Sequence, residues 1–228
     1  MLSLALDTSG PLGSVALAGP GGPAGECALP VRADHSETLL PAIDRLLSGA
    51  DRRAADLERV VVGAGPGSFT GVRIGASVAK GLCAATGAEL LAFSSLAAIA
   101  AGTGCAGTVC AALDARRGQV YAAAYRSGEG FAAVWKPAAL SLDALVERLR
   151  SEGAQDAGWA VAGSLSPEQR ARLVEEGLRV LPAHLGAPRA AALLWLADAA
   201  PGSGSLADPA GWEPEYVRAP AAERERAR

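Results

Sequence analysis

An apolar strand that runs into an aspartate, turns and comes back occurs twice in this sequence, once in each half. Leu2–Leu6 is apolar almost throughout, stops at Asp7-Thr8-Ser9-Gly10-Pro11 and returns as Ser14-Val-Ala-Leu17. Thr108-Val-Cys-Ala-Ala-Leu-Asp114 repeats the pattern, with Arg116-Arg117-Gly118 as the turn and Gln119–Tyr125 as the returning strand. A third strand follows each pair, near Glu26–Val31 and at Phe131–Trp135. Each meander then gives way to alternating helical and strand-like segments, and a repeat of that size marks a duplicated supersecondary unit.

In the first copy, Leu39, Ile43, Leu46 and Leu47 recur at helical spacing. Asp34 with Glu37 supplies a capping-box-like start, and Pro41 is expected to bend the helix. Strands at Arg59–Gly63 and Glu89–Phe93 flank a loop, Ala64–Thr70, and a helix from about Gly71 to Ala85; another helix starts near Ser94. In the second copy, helices are expected near Leu142–Arg150, Pro167–Glu176 and Arg189–Ala199, with a strand around Trp159–Ala162. Duplicated βββαβα units facing each other as two lobes are the logic of the actin-like, ribonuclease-H-type α/β fold, here with a reduced second lobe. The division is expected at residues 1–103 and 104–228. The Pro-, Gly- and Ser-rich stretch Pro201–Gly211 reads as a surface tail, and Ala221–Arg228 as a frayed end.

Gly63-Ala-Gly-Pro-Gly-Ser-Phe-Thr-Gly-Val-Arg-Ile-Gly75 is the most informative string. A glycine-rich loop between strand and helix is a setting for anion capture by backbone N–H groups. It equally suits a tight turn in which glycines permit close backbone approach. The string is not a P-loop, a dinucleotide fingerprint or a hydrolase elbow. Asp7, Gly65, Gly67 and Ser68 are the candidate nucleotide or anion contacts. Asp7 and Asp114 have the type and position to hold a nucleotide-bound magnesium, or each simply closes its turn with its own side chain.

The helix after the loop carries Gly71, Gly75, Ala79 and Cys83 as a stripe of small residues beside Ile74, Val78 and Leu82. Its polar face is narrow, which implies a second packing partner. Either that partner is another protein or the helix is wedged inside its own chain. His35, Leu40, Gly71, Arg73, Gly75, Ala76, Ala79, Lys80 and Cys83 are the candidate interface residues.

Composition narrows the function. The net charge is −3, with Lys80 and Lys136 the only lysines, which does not suit an autonomous nucleic-acid binder. The four cysteines form no C-x-x-C pair and only two histidines accompany them, so a zinc site is not expected. The N-terminus lacks signal-peptide features and no apolar run approaches the length of a bilayer span; a cytoplasmic protein is expected.

Gly65-Pro-Gly-Ser-Phe-Thr-Gly-Val-Arg-Ile-Gly75 resembles the signature of the TsaB (YeaZ) family. Leu4-Ala-Leu-Asp-Thr-Ser9, His35-Ser-Glu-Thr-Leu-Leu-Pro41, Asp114-Ala-Arg-Arg-Gly-Gln-Val-Tyr121 and Pro214-Glu-Tyr-Val-Arg218 are similar to its other motifs, in the same order. The resemblance implies a non-catalytic partner of TsaD, acting with the ATPase TsaE to form N6-threonylcarbamoyladenosine in tRNAs reading codons that begin with A. It further implies association with TsaD through the first lobe, a homodimer when TsaD is absent and contact with tRNA only through the complex; no cofactor of its own is expected, with room for ATP or ADP at the complex interface. TsaD holds its metal on an Asn-His-x-x-x-His stretch; here Ser95 and Ile99 stand in the places of the two histidines, and neither suits a transition metal. The rival reading is a nucleotide-dependent enzyme of the same superfamily, a phosphotransferase or a peptidase-like hydrolase.

Overall fold

The computed structural model describes residues 1–30, 35–206, 208–214 and 217. Those residues form two five-stranded sheets. The first is built from β1 (Ser3–Asp7), β2 (Leu12–Gly19), β3 (Gly22–Pro30), β4 (Arg59–Gly63) and β5 (Glu89–Phe93), ordered β3-β2-β1-β4-β5. The second contains β6 (Gly107–Arg116), β7 (Gln119–Ser127), β8 (Phe131–Ser141), β9 (Ala160–Ser164) and β10 (Arg179–Val180), ordered β10-β9-β6-β7-β8. In each sheet the first three strands are an antiparallel meander and the last two join the central strand in parallel. The two units are therefore copies of one actin-like, ribonuclease-H-type topology, and the second is reduced to a two-residue fifth strand.

Among the described residues six α-helices accompany the sheets: α1 (His35–Gly49), α2 (Phe69–Thr86), α3 (Ser95–Gly102), α4 (Leu142–Ser151), α5 (Pro167–Glu175) and α6 (Ala190–Ala199). Ser68 caps α2, its Oγ accepting from the Gly71 N–H, so the helix starts earlier than the glycine pattern predicts. Strand β8 runs past the expected end at Trp135; Pro137 is tolerated because β8 is an edge strand. Asp34, expected to cap α1, lies outside the described residues, as does most of the Pro214–Arg218 motif and all of Ala221–Arg228.

Helices α3 and α6 are apolar around most of their circumference because both are buried between the lobes. One continuous core joins Ala5, Ala16 and Val61 of the first sheet, Leu96 and Ile99 of α3, Leu193 and Leu196 of α6, and Ala111 and Ala123 of the second sheet. Residues from beyond the expected division at residues 103 and 104 therefore share this core with the first sheet. The chain returns after β10 to lay α6 on the first sheet, where Arg59 Nη2 donates to Asp198 Oδ1 at 2.7 Å. The stretch expected to run free over the surface continues that return: Ser205 bridges Leu91, and the Ala92 N–H donates to the Gly204 carbonyl at 2.9 Å.

Candidate functional site

Three chain segments meet where β1, β4 and β5 end, the place where an actin-like lobe presents its ligand-facing loops. Asp7 closes β1 and is 0% exposed. Its Oδ1 accepts from the Ser9 N–H at 2.8 Å and from Ser9 Oγ at 2.7 Å, and its Oδ2 accepts from Ser95 Oγ at 2.6 Å. Burial raises its pKa above the ordinary carboxylate value, and the three donors oppose that shift without cancelling it. Ser95 ties the third segment in: its Oγ accepts from the Gly65 N–H at 3.2 Å, while its own N–H donates to the Gly65 carbonyl at 2.7 Å.

These contacts explain why the loop is rich in glycine. A Cβ on Gly63 would stand 1.9 Å from Asp7 Oδ2, and one on Gly67 would stand 2.3 Å from the Ser9 carbonyl oxygen. On Gly71 it would meet the Thr8 carbonyl oxygen at 2.1 Å, and on Gly75 the Thr8 hydroxyl at 2.5 Å. The Ser68 N–H donates to the Ser9 carbonyl at 2.7 Å, and Thr8 Oγ1 donates to the Gly71 carbonyl at 2.7 Å. The glycines thus let α2 and its loop lie directly on the Thr8–Ser9 turn.

The packing places the residues of two expectations. Asp7, Gly65 and Gly67 do not form an open anion cradle: Asp7 and Gly65 are buried, the Ser9 turn covers Gly67, and only Ser68 is exposed. Both Asp7 oxygens hold protein donors in a space that solvent does not reach. The stripe Gly71, Gly75, Ala79, with Ala76, faces inward as well, and Ala79 is 0% exposed within the first-lobe core. Small residues at four-residue spacing do mark a close approach, and the element approached is the chain's own β1 turn. Ser95 and Ile99 are both buried, one bound to Asp7 and the other in the core between the lobes.

The surface α2 leaves to solvent lies half a turn away, along Thr70, Arg73, Ser77, Gly81 and Ala84. Nothing stands within 4 Å of a Cβ on Gly81. Arg73 lies over the Phe69 ring at 3.9 Å, and Lys80, half-buried, donates from Nζ to the Trp212 carbonyl at 2.8 Å. Cys83 is half-buried, its thiol pushed up to about 11 by burial. On α1, Leu40 is 52% exposed, while the His35 side chain lies outside the described residues. Sequence reading missed Ser77, Gly81 and Ala84; recognising Ser68 as the N-cap shows where the helix begins against the turn, and with that which of its faces turns inward.

In the second lobe, Asp114 occupies the position of Asp7 and is exposed. Its Oδ1 accepts from the Arg116 N–H at 2.9 Å and from Gln169 Nε2 at 3.2 Å. Among the described residues, no group of three or more His, Cys, Asp and Glu side chains is placed to hold a metal ion. No helix among them is long and apolar enough to cross a membrane.

Fold and site together define a class: an actin-like α/β protein of two lobes in which the loop position of the first lobe is filled by the chain's own side chains. A family model described as TsaD, tRNA N6-adenosine threonylcarbamoyltransferase, matches residues 30–173. The Escherichia coli tRNA threonylcarbamoyladenosine biosynthesis protein TsaB is 34% identical over 80% of this chain and 82% of its own length. The Bacillus subtilis protein of that name is 39% identical over 57% of each chain, so that match spans little more than half of the relative. The structure of YeaZ from Pseudomonas aeruginosa superposes with a TM-score of 0.76 at 30% identity, over 94% of this chain and 99% of the other. A second Pseudomonas aeruginosa structure, of a protein described as similar to peptidase YeaZ, gives 0.80 at 32% identity, over 95% and 99%. The chain belongs to this family and, within it, to the TsaB (YeaZ) branch of tRNA threonylcarbamoyladenosine biosynthesis proteins.

Proposed function

We propose that the chain is the non-catalytic partner of a TsaD-like enzyme, and that with a TsaE-like ATPase the complex forms N6-threonylcarbamoyladenosine in tRNAs reading codons that begin with A. One observation carries this reading: the strand ends where an enzyme of this fold would work are closed by Asp7, Ser9 and Ser95, which bond to each other rather than facing a substrate. Binding then falls to the outer surface of the first lobe. The exposed face of α2, with Leu40 of α1, is small-sided and sparsely charged, which suits a closely approaching helix. In isolation the same face pairs two copies of the chain, and contact with tRNA, like any ATP or ADP, belongs to the assembled complex in the cytoplasm.

A reconstituted tRNA-modification reaction tests this. The chain alone is expected to be inactive, and leaving it out of a mixture containing TsaD-like and TsaE-like proteins is expected to reduce modification to background. Gly81→Arg places a long cation on the exposed face, and the variant should melt like the parent yet fail to associate with itself and with the TsaD-like protein. Modification by the chain alone, or normal association of the Gly81 variant, would defeat the proposal. Ala79→Arg is the control: at a core position it should prevent folding rather than block association.

A further inference from the structure

The chain passes from the second lobe back to the first through residues 181–189, and both ends of that crossover are fastened. At the second-lobe end the Leu181 N–H donates to the Val161 carbonyl at 2.8 Å, and Gly186 lies so close to β9 that a Cβ there would stand 2.2 Å from the Gly163 carbonyl oxygen. At the first-lobe end Pro188 packs on Gly10, and the start of α6 is capped by residues far away in sequence. The Ala190 N–H donates to Ser14 Oγ at 3.0 Å, Ser14 Oγ donates to Glu26 Oε1 at 3.1 Å, and the Ala191 N–H donates to the same carboxylate oxygen at 3.2 Å. Arg189 pairs with Glu26 Oε2. The carboxylate therefore meets the Ser14 hydroxyl, the Ala191 N–H and a guanidinium at the positive end of a helix, an arrangement in which each contact strengthens the others. Glu26 has no role in the Asp7 cluster or on the outer face of α2.

We propose that Glu26 and Ser14 form a lock that holds the second crossover on the first sheet and so fixes the angle between the two lobes. Among the described residues two stretches of chain connect the lobes, the other being the short link from α3 to β6, so fastening this one removes freedom on which a hinge depends. Two-lobe proteins that close around a ligand need such freedom; this chain keeps the two-lobe plan and ties its crossover down.

The test combines hydrogen exchange with small-angle scattering on the full chain. Glu26→Ala should speed exchange at Ala190, Ala191 and the crossover amides by about tenfold or more while β1 and β6 stay protected. It should also broaden the distance distribution between the lobes. Arg189→Ala, which leaves the helix cap in place, should give a smaller change in the same direction, and Ser14→Ala carries the test if Glu26→Ala does not fold. Exchange that rises equally through both sheets would reduce Glu26 to a general contributor to stability and overturn the lock. Faster exchange confined to the start of α6, with an unchanged scattering profile, would overturn it too.

Discussion

Asp7 and Asp114 occupy the same place in the two copies of the fold and live in opposite surroundings. Asp7 is sealed beneath a glycine loop and saturated by Ser9 and Ser95, whereas Asp114 sits in the open with a turn amide and a glutamine. The difference arises in the segment after the fourth strand of each lobe. After β4 the chain makes the loop that folds over Thr8 and Ser9; after β9 it goes almost at once into α5, capped by Ser166, and the Arg116–Arg117 turn stays exposed. A duplicated acid thus becomes a buried junction in one lobe and an ordinary turn residue in the other.

The contrast meets its hardest test at the glycines near the ends of β4 and β9. Gly63→Ala and Gly163→Ala should each cost about 3 kcal/mol or more in urea denaturation, because a Cβ at either site overlaps its neighbour. The neighbours differ: the Asp7 carboxylate for Gly63, the Ala112 backbone oxygen for Gly163. Asp7→Ala should therefore recover part of the Gly63→Ala loss in a double-mutant cycle, while no side-chain change relieves Gly163. Strictly additive losses for the Asp7 and Gly63 pair would mean that the carboxylate is not what the glycine makes room for.

Next in size is removal of the acids themselves. Asp7→Ala strands three buried donors and should cost about 3 kcal/mol, whereas Asp114→Ala should cost under about 1 kcal/mol. Equal losses would dissolve the distinction between the two turns.

Acidification separates two acids within the first lobe. The native pKa of Asp7 is raised, so the folded state holds its proton more tightly than the unfolded chain, and Asp7 adds stability as pH falls through its native value toward the ordinary one. Glu26 is lowered despite its partial burial, through the Arg189 guanidinium and its other donors; its contribution is full above the ordinary glutamate value and lost as pH falls through the native one. Thermal melts from about pH 7 to about pH 4 should show the parent gaining on Asp7→Asn and losing ground to Glu26→Gln.

The smallest effect belongs to the exposed turn. Arg117 has φ of 55°, in the left-handed region that favours glycine, so Arg117→Gly should stabilise the chain by up to about 1 kcal/mol. A loss instead would show that the arginine side chain holds the turn.

Most of the fold was legible in the sequence because its signals are local. Two strand-to-aspartate turns and the apolar spacing of α1 each depend on a few neighbouring residues. The return of α6 to the first sheet was not, because the sequence of α6 shows only that it is buried, not against which sheet. Within the site, the glycine string announced a close approach correctly. That Gly71 and Gly75 approach Thr8 rather than a partner is a contact across more than sixty positions, with Thr8 Oγ1 bonded to the Gly71 carbonyl over a separation of 63. Asp7 read equally well as a ligand-facing acid, since no feature of its own neighbourhood reveals that Ser95, 88 positions away, will close over it.

The return of α6 to the first sheet has a consequence for how the protein comes into being. Leu193 and Leu196 complete a core whose other walls are made from Ala5, Ala16 and Val61 at the opposite end of the chain. On the ribosome the first sheet can pair its strands early, yet its inner side stays uncovered until α6 has been made. Contacts spanning most of the sequence are the ones that slow folding and leave apolar surface exposed meanwhile. Truncated chains ending before Ala190 should accordingly be held by chaperones or aggregate, and the finished protein should acquire its protected core in one late step, when α6 arrives.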